Sequence, residues 1–282
     1  MRVMERVAEL REAIASRRRA GASVALVPTM GYLHDGHLSL VDEARRRADL
    51  VVMSLFVNPM QFAPTDDLAR YPRDFAGDRD KAAARGVDIL FAPSVGEVYH
   101  GSMAVEVRPT ALAGRWEGAM RPGHFEGVLT VVAKLFNIVQ PDVALFGQKD
   151  FQQATLVRAM AVDLDFPVEV IVAPTVREAD GLAMSSRNAY LSADDRTRAL
   201  SLSRALGAIR DAFASGERDV RTLEQRGRAI LDAEPSVNVD YLAIASATTL
   251  EPAERTEAGD VAMVAARVGT TRLIDNLVLG AS

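Results

Sequence analysis

Over roughly its first 175 residues the chain alternates short runs of Val, Ile and Leu with stretches of helical periodicity, and this pattern restricts the fold more than any other feature. The apolar runs fall at residues 24–27, 50–57, 87–91, 142–146 and 168–172, and the amphipathic stretches at 38–48, 78–85, 128–139 and 151–162. Strands apolar at every position, not at every second one, are buried on both faces, and strands separated by helices pair in parallel. The expectation is an α/β fold, with a Rossmann-like parallel sheet over residues 1–175. Beyond residue 176 the order changes. Helical patterns at 194–215 and 220–233 precede strand-like runs at 238–245, 261–268 and 271–274, with Gly269 at the last turn. That order predicts a smaller α+β domain over residues 176–282.

Composition narrows the function. With 282 residues, 49% apolar and 25% charged, the chain can bury a full core and has no disordered or fibrous bias. A net charge of −5 argues against a sequence-independent nucleic-acid binder, which needs clustered cations. The two arginine triplets, Arg17 to Arg19 and Arg45 to Arg47, each fall late in a helical pattern, where cations suit the helix dipole. The chain has no cysteine, which excludes disulfides, thiolate metal sites and a cysteine nucleophile, and fits a cytoplasmic location. Met4-Glu5-Arg6-Val7 reads as a helix pattern, not as a signal peptide. No run approaches the roughly 18 apolar residues of a membrane span.

In parallel sheets, ligands bind beyond the carboxyl ends of the strands, so the polar segments there carry the chemistry. The first is Pro28-Thr29-Met30-Gly31-Tyr32-Leu33-His34-Asp35-Gly36-His37, which holds two of the chain's four histidines at the start of a helix. A helix N-terminus offers free N–H groups and a positive dipole end, and the two imidazoles add donors, so the segment suits a phosphate. A turn with surface histidines is the plainer reading. A zinc site lacks partner ligands, since only His100 and His124 remain. The second segment, Asn58-Pro59-Met60-Gln61, offers amides for a carboxylate or hydroxyl, or is simply a turn. Just beyond it, Asp66, Asp67, Tyr71, Asp74 and Asp78 offer oxygens that could hold Mg²⁺ through waters, or form a solvated surface. The third region comprises Arg121-Pro122-Gly123-His124 and Gly147-Gln148-Lys149-Asp150-Phe151-Gln152-Gln153. There Lys149 can neutralise phosphate, or is an exposed lysine at a helix entry, and Asp150 can cap a helix. In the fourth, Met184-Ser185-Ser186-Arg187, hydroxyls beside an arginine can clamp a phosphate, or form a polar linker.

Taken in order, these segments resemble the pantoate–β-alanine ligases of the H-x-G-H nucleotidylyltransferase superfamily. The resemblance rests on P-T-M-G-x-L-H-x-G-H, F-V-N-P-x-Q-F, R-P-G-H-F-x-G-V, G-x-K-D-x-Q-Q and G-L-A-M-S-S-R-N. It continues through Arg187-Asn188-Ala189-Tyr190-Leu191-Ser192 and returns in Gly269-Thr270-Thr271-Arg272-Leu273-Ile274-Asp275-Asn276, so it covers nearly the whole chain. It implies ATP-dependent condensation of (R)-pantoate with β-alanine to pantothenate, releasing AMP and diphosphate, through an enzyme-bound pantoyl adenylate.

The resemblance also implies roles. Met30, Gly31, His34, Gly36, His37, Gly147, Gln148, Lys149, Asp150, Val176, Met184, Ser185, Ser186 and Arg187 would contact ATP. His37, His34, Lys149 and Arg187 would be catalytic, with His37 the family's proton donor. Gln61 would bind pantoate and β-alanine, and Gln153 pantoate. Arg121 and His124 match a motif next to the site. Mg²⁺ would accompany ATP, with Asp78 its candidate ligand in a stretch that aligns only loosely, residues 176–282 would form a lid, and a homodimer is expected. The position of Gln148 should tolerate change. The loop of Ser185, Ser186 and Arg187 lacks the lysines of the related tRNA synthetase loop, leaving Lys149 and Arg187 to supply positive charge. A nucleotidylyltransferase releasing an adenylated product, or an inactive nucleotide-binding module, are the competing readings.

Overall fold

A computed structural model describes residues 1–63 and 68–281. They divide into two units: Met1–Gly147 with Gln152–Pro174, and Gln148–Phe151 with Thr175–Ser282. The first unit begins with β1 (Arg2–Met4), α1 (Val7–Arg19), β2 (Val24–Thr29), α2 (Asp35–Arg47) and β3 (Leu50–Leu55). After these come α3 (Phe75–Ala84), β4 (Ile89–Phe91), α4 (Val95–Val98), α5 (Trp116–Met120), α6 (His124–Val139) and β5 (Val143–Gly147). It closes with α7 (Phe151–Asp163), whose first residue belongs to the second unit, and β6 (Glu169–Ala173). The strands form one sheet in the order β1-β4-β3-β2-β5-β6, with every pairing parallel.

The strands are uniformly apolar because successive residues feed different cores. Val24 and Leu26 of β2, Leu50 and Val52 of β3, Ile89 and Phe91 of β4, and Ala144 and Phe146 of β5 join α1, α6 and α7 in one cluster. Their neighbours Ala25, Val27, Val51, Met53, Leu90, Val143 and Leu145 join α2 and α3 in another. Period-2 alternation on a sheet covered on both sides has this result.

One expectation fails at the N-terminus. Residues 2–4 form β1, paired as Arg2↔Ile89, Val3↔Leu90 and Met4↔Phe91, and the helix starts only at Val7. A strand of three residues is too short to show a period. The arginine triplets do close α1 and α2. Arg18 pairs with Asp142, and Arg46 and Arg47 pair with Glu43 one turn back. Asp66 and Asp67, expected as possible magnesium ligands, lie outside the described residues.

The second unit contains α8 (Ala193–Ala214), α9 (Val220–Asp232), β7 (Val237–Ala245), β8 (Val261–Val268) and β9 (Thr271–Val278). Its strands form an antiparallel sheet with β8 in the middle. Leu202, Leu206, Ile209, Leu223 and Leu231 from the helices pack with Ile244, Val264 and Leu273 from the sheet. Fold class is therefore α/β followed by a smaller α+β part, as expected. Among the described residues no helix is long and apolar enough to cross a membrane.

Candidate active site

The sheet order reverses at β2: β3 lies on one side of it and β5 on the other. Such a switch point opens a crevice at the carboxyl ends of the two diverging strands. β2 ends at Thr29, whose hydroxyl donates to the Ser54 carbonyl at 2.6 Å. The chain then turns through two left-handed residues, Gly31 (φ 86°) and Tyr32 (φ 52°). Asp78 makes that turn possible. Its carboxylate accepts the N–H of Tyr32 at 2.7 Å and of Leu33 at 2.6 Å. It is 1% exposed, and a Cβ on Gly31 would lie 2.9 Å from its Oδ2. One turn along α3, Lys81 donates its ammonium to the Leu33 carbonyl at 2.9 Å. Both peptide groups of Leu33 are thus held by α3.

The next residue, His34, caps α2 in extended conformation (φ −132°, ψ 172°). Helical geometry brings His37 back over it, with ring centroids 4.0 Å apart and the planes tilted by 34°. The His34 N–H lies 3.4 Å from Nδ1 of His37. A backbone N–H can only donate, so Nδ1 presents a lone pair and Nε2 carries the ring proton. The pair therefore sits at a helix N-terminus with His37's donor on the ring edge away from the backbone.

After β3, Gln61 ends the turn Pro59–Gln61 and is nearly buried. Its amide donates to the Met30 sulfur at 3.2 Å, and its Oε1 accepts from Asn58 Nδ2 at 3.1 Å. Asn58 also donates to the Gly127 carbonyl at 3.0 Å and accepts from the Tyr99 hydroxyl at 2.7 Å. Burial pushes the Tyr99 phenol up to about 12, which keeps it a neutral donor. Gly127 lets α6 approach: a Cβ there would fall 2.3 Å from the Met60 carbonyl oxygen. The Gln61 carbonyl accepts from His124 Nδ1 at 2.8 Å, and Arg121 lies 3.0 Å from His124 Nε2. Since that carbonyl can only accept, Nδ1 bears the proton and Nε2 takes the arginine N–H. Arg121 and His124 thus brace Gln61 from behind. Of the two glutamines after β5, Gln152 is buried and structural, bonding Glu117 N, Leu112 O and Arg115 O, whereas Gln153 is half-buried.

In the second unit, Gln148, Lys149 and Asp150 form a 3-10 turn, with Lys149 Nζ 3.8 Å from the Asp150 carboxylate. Residues 176–184 form a short hairpin: Met184 N–H donates to the Val176 carbonyl at 3.0 Å, and Arg177 bridges Ala183. It leads into a second 3-10 turn, Ser186–Tyr190, capped by Ser185, whose hydroxyl accepts the Arg187 N–H at 3.2 Å. Asn188 ties that turn to the hairpin through Glu178 and the Ala183 carbonyl. Arg196 bonds both Glu178 and Asp180. The Leu182 N–H, then Arg196, hold the Asp180 carboxyl below its ordinary range. Tyr99 and the polar pair Asp275 and Asn276 have no role assigned from sequence. A polar pair inside a strand pattern was the available signal for the last two.

The fold and these segments define an α/β nucleotide-handling protein with an H-x-G-H loop at the switch point. A family model described as pantoate-beta-alanine ligase matches residues 2–278, and the chain belongs to that family. It is 52% identical over 279 residues to the pantothenate synthetase of Moorella thermoacetica, covering 99% of each chain. It is 53% identical to pantothenate synthetase 1 of Bradyrhizobium diazoefficiens, covering 99% and 98%. A solved pantothenate synthetase from Thermus thermophilus superimposes with a TM-score of 0.94 at 51% identity, with 99% of each chain covered. A pantoate-beta-alanine ligase from Francisella tularensis, solved in complex with beta-gamma ATP and beta-alanine, matches with a TM-score of 0.82 at 29% identity, covering 100% and 99%.

Proposed function

We propose that this chain joins pantoate to β-alanine at the expense of ATP, giving pantothenate, AMP and diphosphate. The observation that carries the reading beyond family membership is the loop from Gly31 to His37. Asp78 and Lys81 fix it so that two imidazoles in tilted contact open α2. In the first step a pantoate carboxylate oxygen attacks the α-phosphorus, the bond to the bridging oxygen breaks, and diphosphate leaves. In the second, the β-alanine amine attacks the acyl carbon, AMP departs, and the nitrogen loses a proton. No protein nucleophile is needed. The work left to the chain is positioning and stabilisation of phosphate charge.

In this reading His34 and His37 bond the phosphates, with His37 Nε2–H the donor. Met30, Gly31 and Gly36 let the backbone approach, while Gln61 and Gln153 hold pantoate and Gln61 also meets β-alanine. From the β5 end and the second unit, Gly147, Gln148, Lys149, Asp150, Val176, Met184, Ser185, Ser186 and Arg187 serve ATP, with Lys149 and Arg187 supplying the cations. Mg²⁺ is proposed as the counter-ion of ATP, supplying charge neutralisation. Asp78 fits poorly as its ligand, because it is 1% exposed and its two oxygens accept the backbone N–H groups of Tyr32 and Leu33. Among the described residues no group of three or more His, Asp or Glu is placed to hold a metal. A homodimer and a cytoplasmic location complete the proposal, and sedimentation equilibrium tests the first.

The deciding experiment is AMP release with each substrate omitted in turn. Sustained release should require ATP, pantoate and β-alanine together. Turnover without β-alanine, or release of an adenylated product, would replace this reading with a nucleotidylyltransferase.

A further inference from the structure

The terminal Asp275-Asn276 dipeptide has no role in the chemistry above, yet both side chains are buried in β9. Period 2 sends adjacent strand residues to opposite faces, so each side chain serves a different segment. Asn276, 3% exposed, donates from one amide nitrogen to the carbonyls of Gln148 and Lys149, both at 2.9 Å. Its Oδ1 accepts from Gln148 Nε2 at 3.1 Å. A single side chain thus satisfies two consecutive carbonyls of the lysine's own turn and clasps the residue before it. Asp275 takes a two-pronged bond from Arg177, at 2.7 and 3.0 Å, and its Oδ1 also accepts the Asn276 N–H at 2.8 Å. Arg177 further donates to the Gly181 carbonyl at 3.1 Å and the Asn276 carbonyl at 3.3 Å. It therefore closes the 176–184 hairpin that precedes Ser185 and Arg187.

We propose that Asp275 and Asn276 are positioning residues for the reaction: Asn276 fixes the turn that aims Lys149, and Asp275, through Arg177, fixes the hairpin that carries the Ser185-Ser186-Arg187 turn. The proposal rests on the reading that Lys149 and Arg187 act on ATP. A buried amide with three partners is hard to replace. Alanine leaves two carbonyls unpaired, and aspartate of the same volume offers acceptors where donors are needed. Gln148, whose position was expected to tolerate change, becomes part of the clasp.

The test is a double-mutant cycle on the full chain, read as single-turnover AMP formation and as KM for pantoate. Asn276→Ala and Asn276→Asp should each lower the rate by on the order of 10- to 100-fold, the effect of misplacing a reacting group by about an ångström. KM for pantoate should stay within about twofold, since Gln61 sits in the Pro59–Gln61 turn and Gln153 within α7, and neither is a partner of Asn276. In a Lys149→Ala background the same substitutions should change the rate by less than about twofold, because the group they aim is gone. A loss of equal size in both backgrounds would mark Asn276 as structural support only and overturn the proposal, as would a near-normal rate in both Asn276 variants. A near-normal rate for Lys149→Ala alone would instead remove the reading on which it rests. For Asp275, Arg177→Lys keeps the charge but not the fork, and should lower the rate while raising KM for ATP. Unchanged kinetics in that variant would overturn the second half.

Discussion

Leu33 is held by α3 at both of its peptide groups, and His34 follows it directly. The placement of the first imidazole is thus decided by Asp78 and Lys81, whose polar atoms bond the backbone just before it. Asp78→Ala should lower kcat by about tenfold or more, as for an interaction that orients a catalytic donor. The Mg²⁺ concentration giving half-maximal activity should stay unchanged; a marked rise would show that the carboxylate binds metal after all. His37→Ala and Lys149→Ala should each cost at least about two orders of magnitude in rate, as for loss of a transition-state donor, with the circular dichroism spectrum retained. Tyr99 adds a pH effect. Its phenol titrates near 12 in the folded chain against 10.0 in a model compound. The unfolded chain therefore loses this proton first, so the contribution of Tyr99 is complete below pH 10 and fades as pH rises to about 12. Urea titrations of Tyr99→Phe should show a shallower loss of stability across that window than the parent chain. The sequence displays the groups proposed to meet substrate, such as His34, His37 and Gln61, because their types and spacing are chemically informative. It hides those that hold them. Asp78 reads as a possible metal ligand until its partners at 32 and 33 are seen, and Asn276 meets its partners 127 and 128 residues away.

α6 and the Pro59–Gln61 turn approach so closely at Gly127 that a Cβ would meet backbone, not a side-chain tip that can swing aside. Gly127→Ala should therefore push the turn away and destabilise the chain by about 1 to 3 kcal/mol, the usual effect of overpacking. The urea midpoint should fall, and KM for pantoate should rise because Gln61 moves with the turn; an unchanged midpoint would mean that the helix yields without strain. At this scale the long strands of the parallel sheet were legible, since their two-sided burial writes itself as unbroken apolar runs. Element ends were less so. β1 is three residues long, and α6 begins at His124, four residues before its apolar stretch, after the left-handed Gly123. β9 runs to Val278, past the expected end at 274, because Asp275 and Asn276 interrupt the apolar pattern while keeping their ladder pairs with Val264 and Met263.

Across the whole molecule, the order of residues and the division into units part company at Gln148–Phe151, which the second unit claims from within the first. A fragment of residues 175–282 would lack the partners of Asn276. Its β8 amides should exchange with solvent faster than in the intact chain, measured by hydrogen exchange and mass spectrometry; equal protection would show that the turn contributes nothing to the second unit. The same arrangement sets a timetable for synthesis. Lys149 is made 127 residues before the Asn276 amide that fixes its turn. A growing chain can complete the parallel sheet and the two-histidine loop well before then. It cannot organise the lysine until residue 276 is made, so a chain stopped before that point would carry the two-histidine loop without a fixed Lys149 turn.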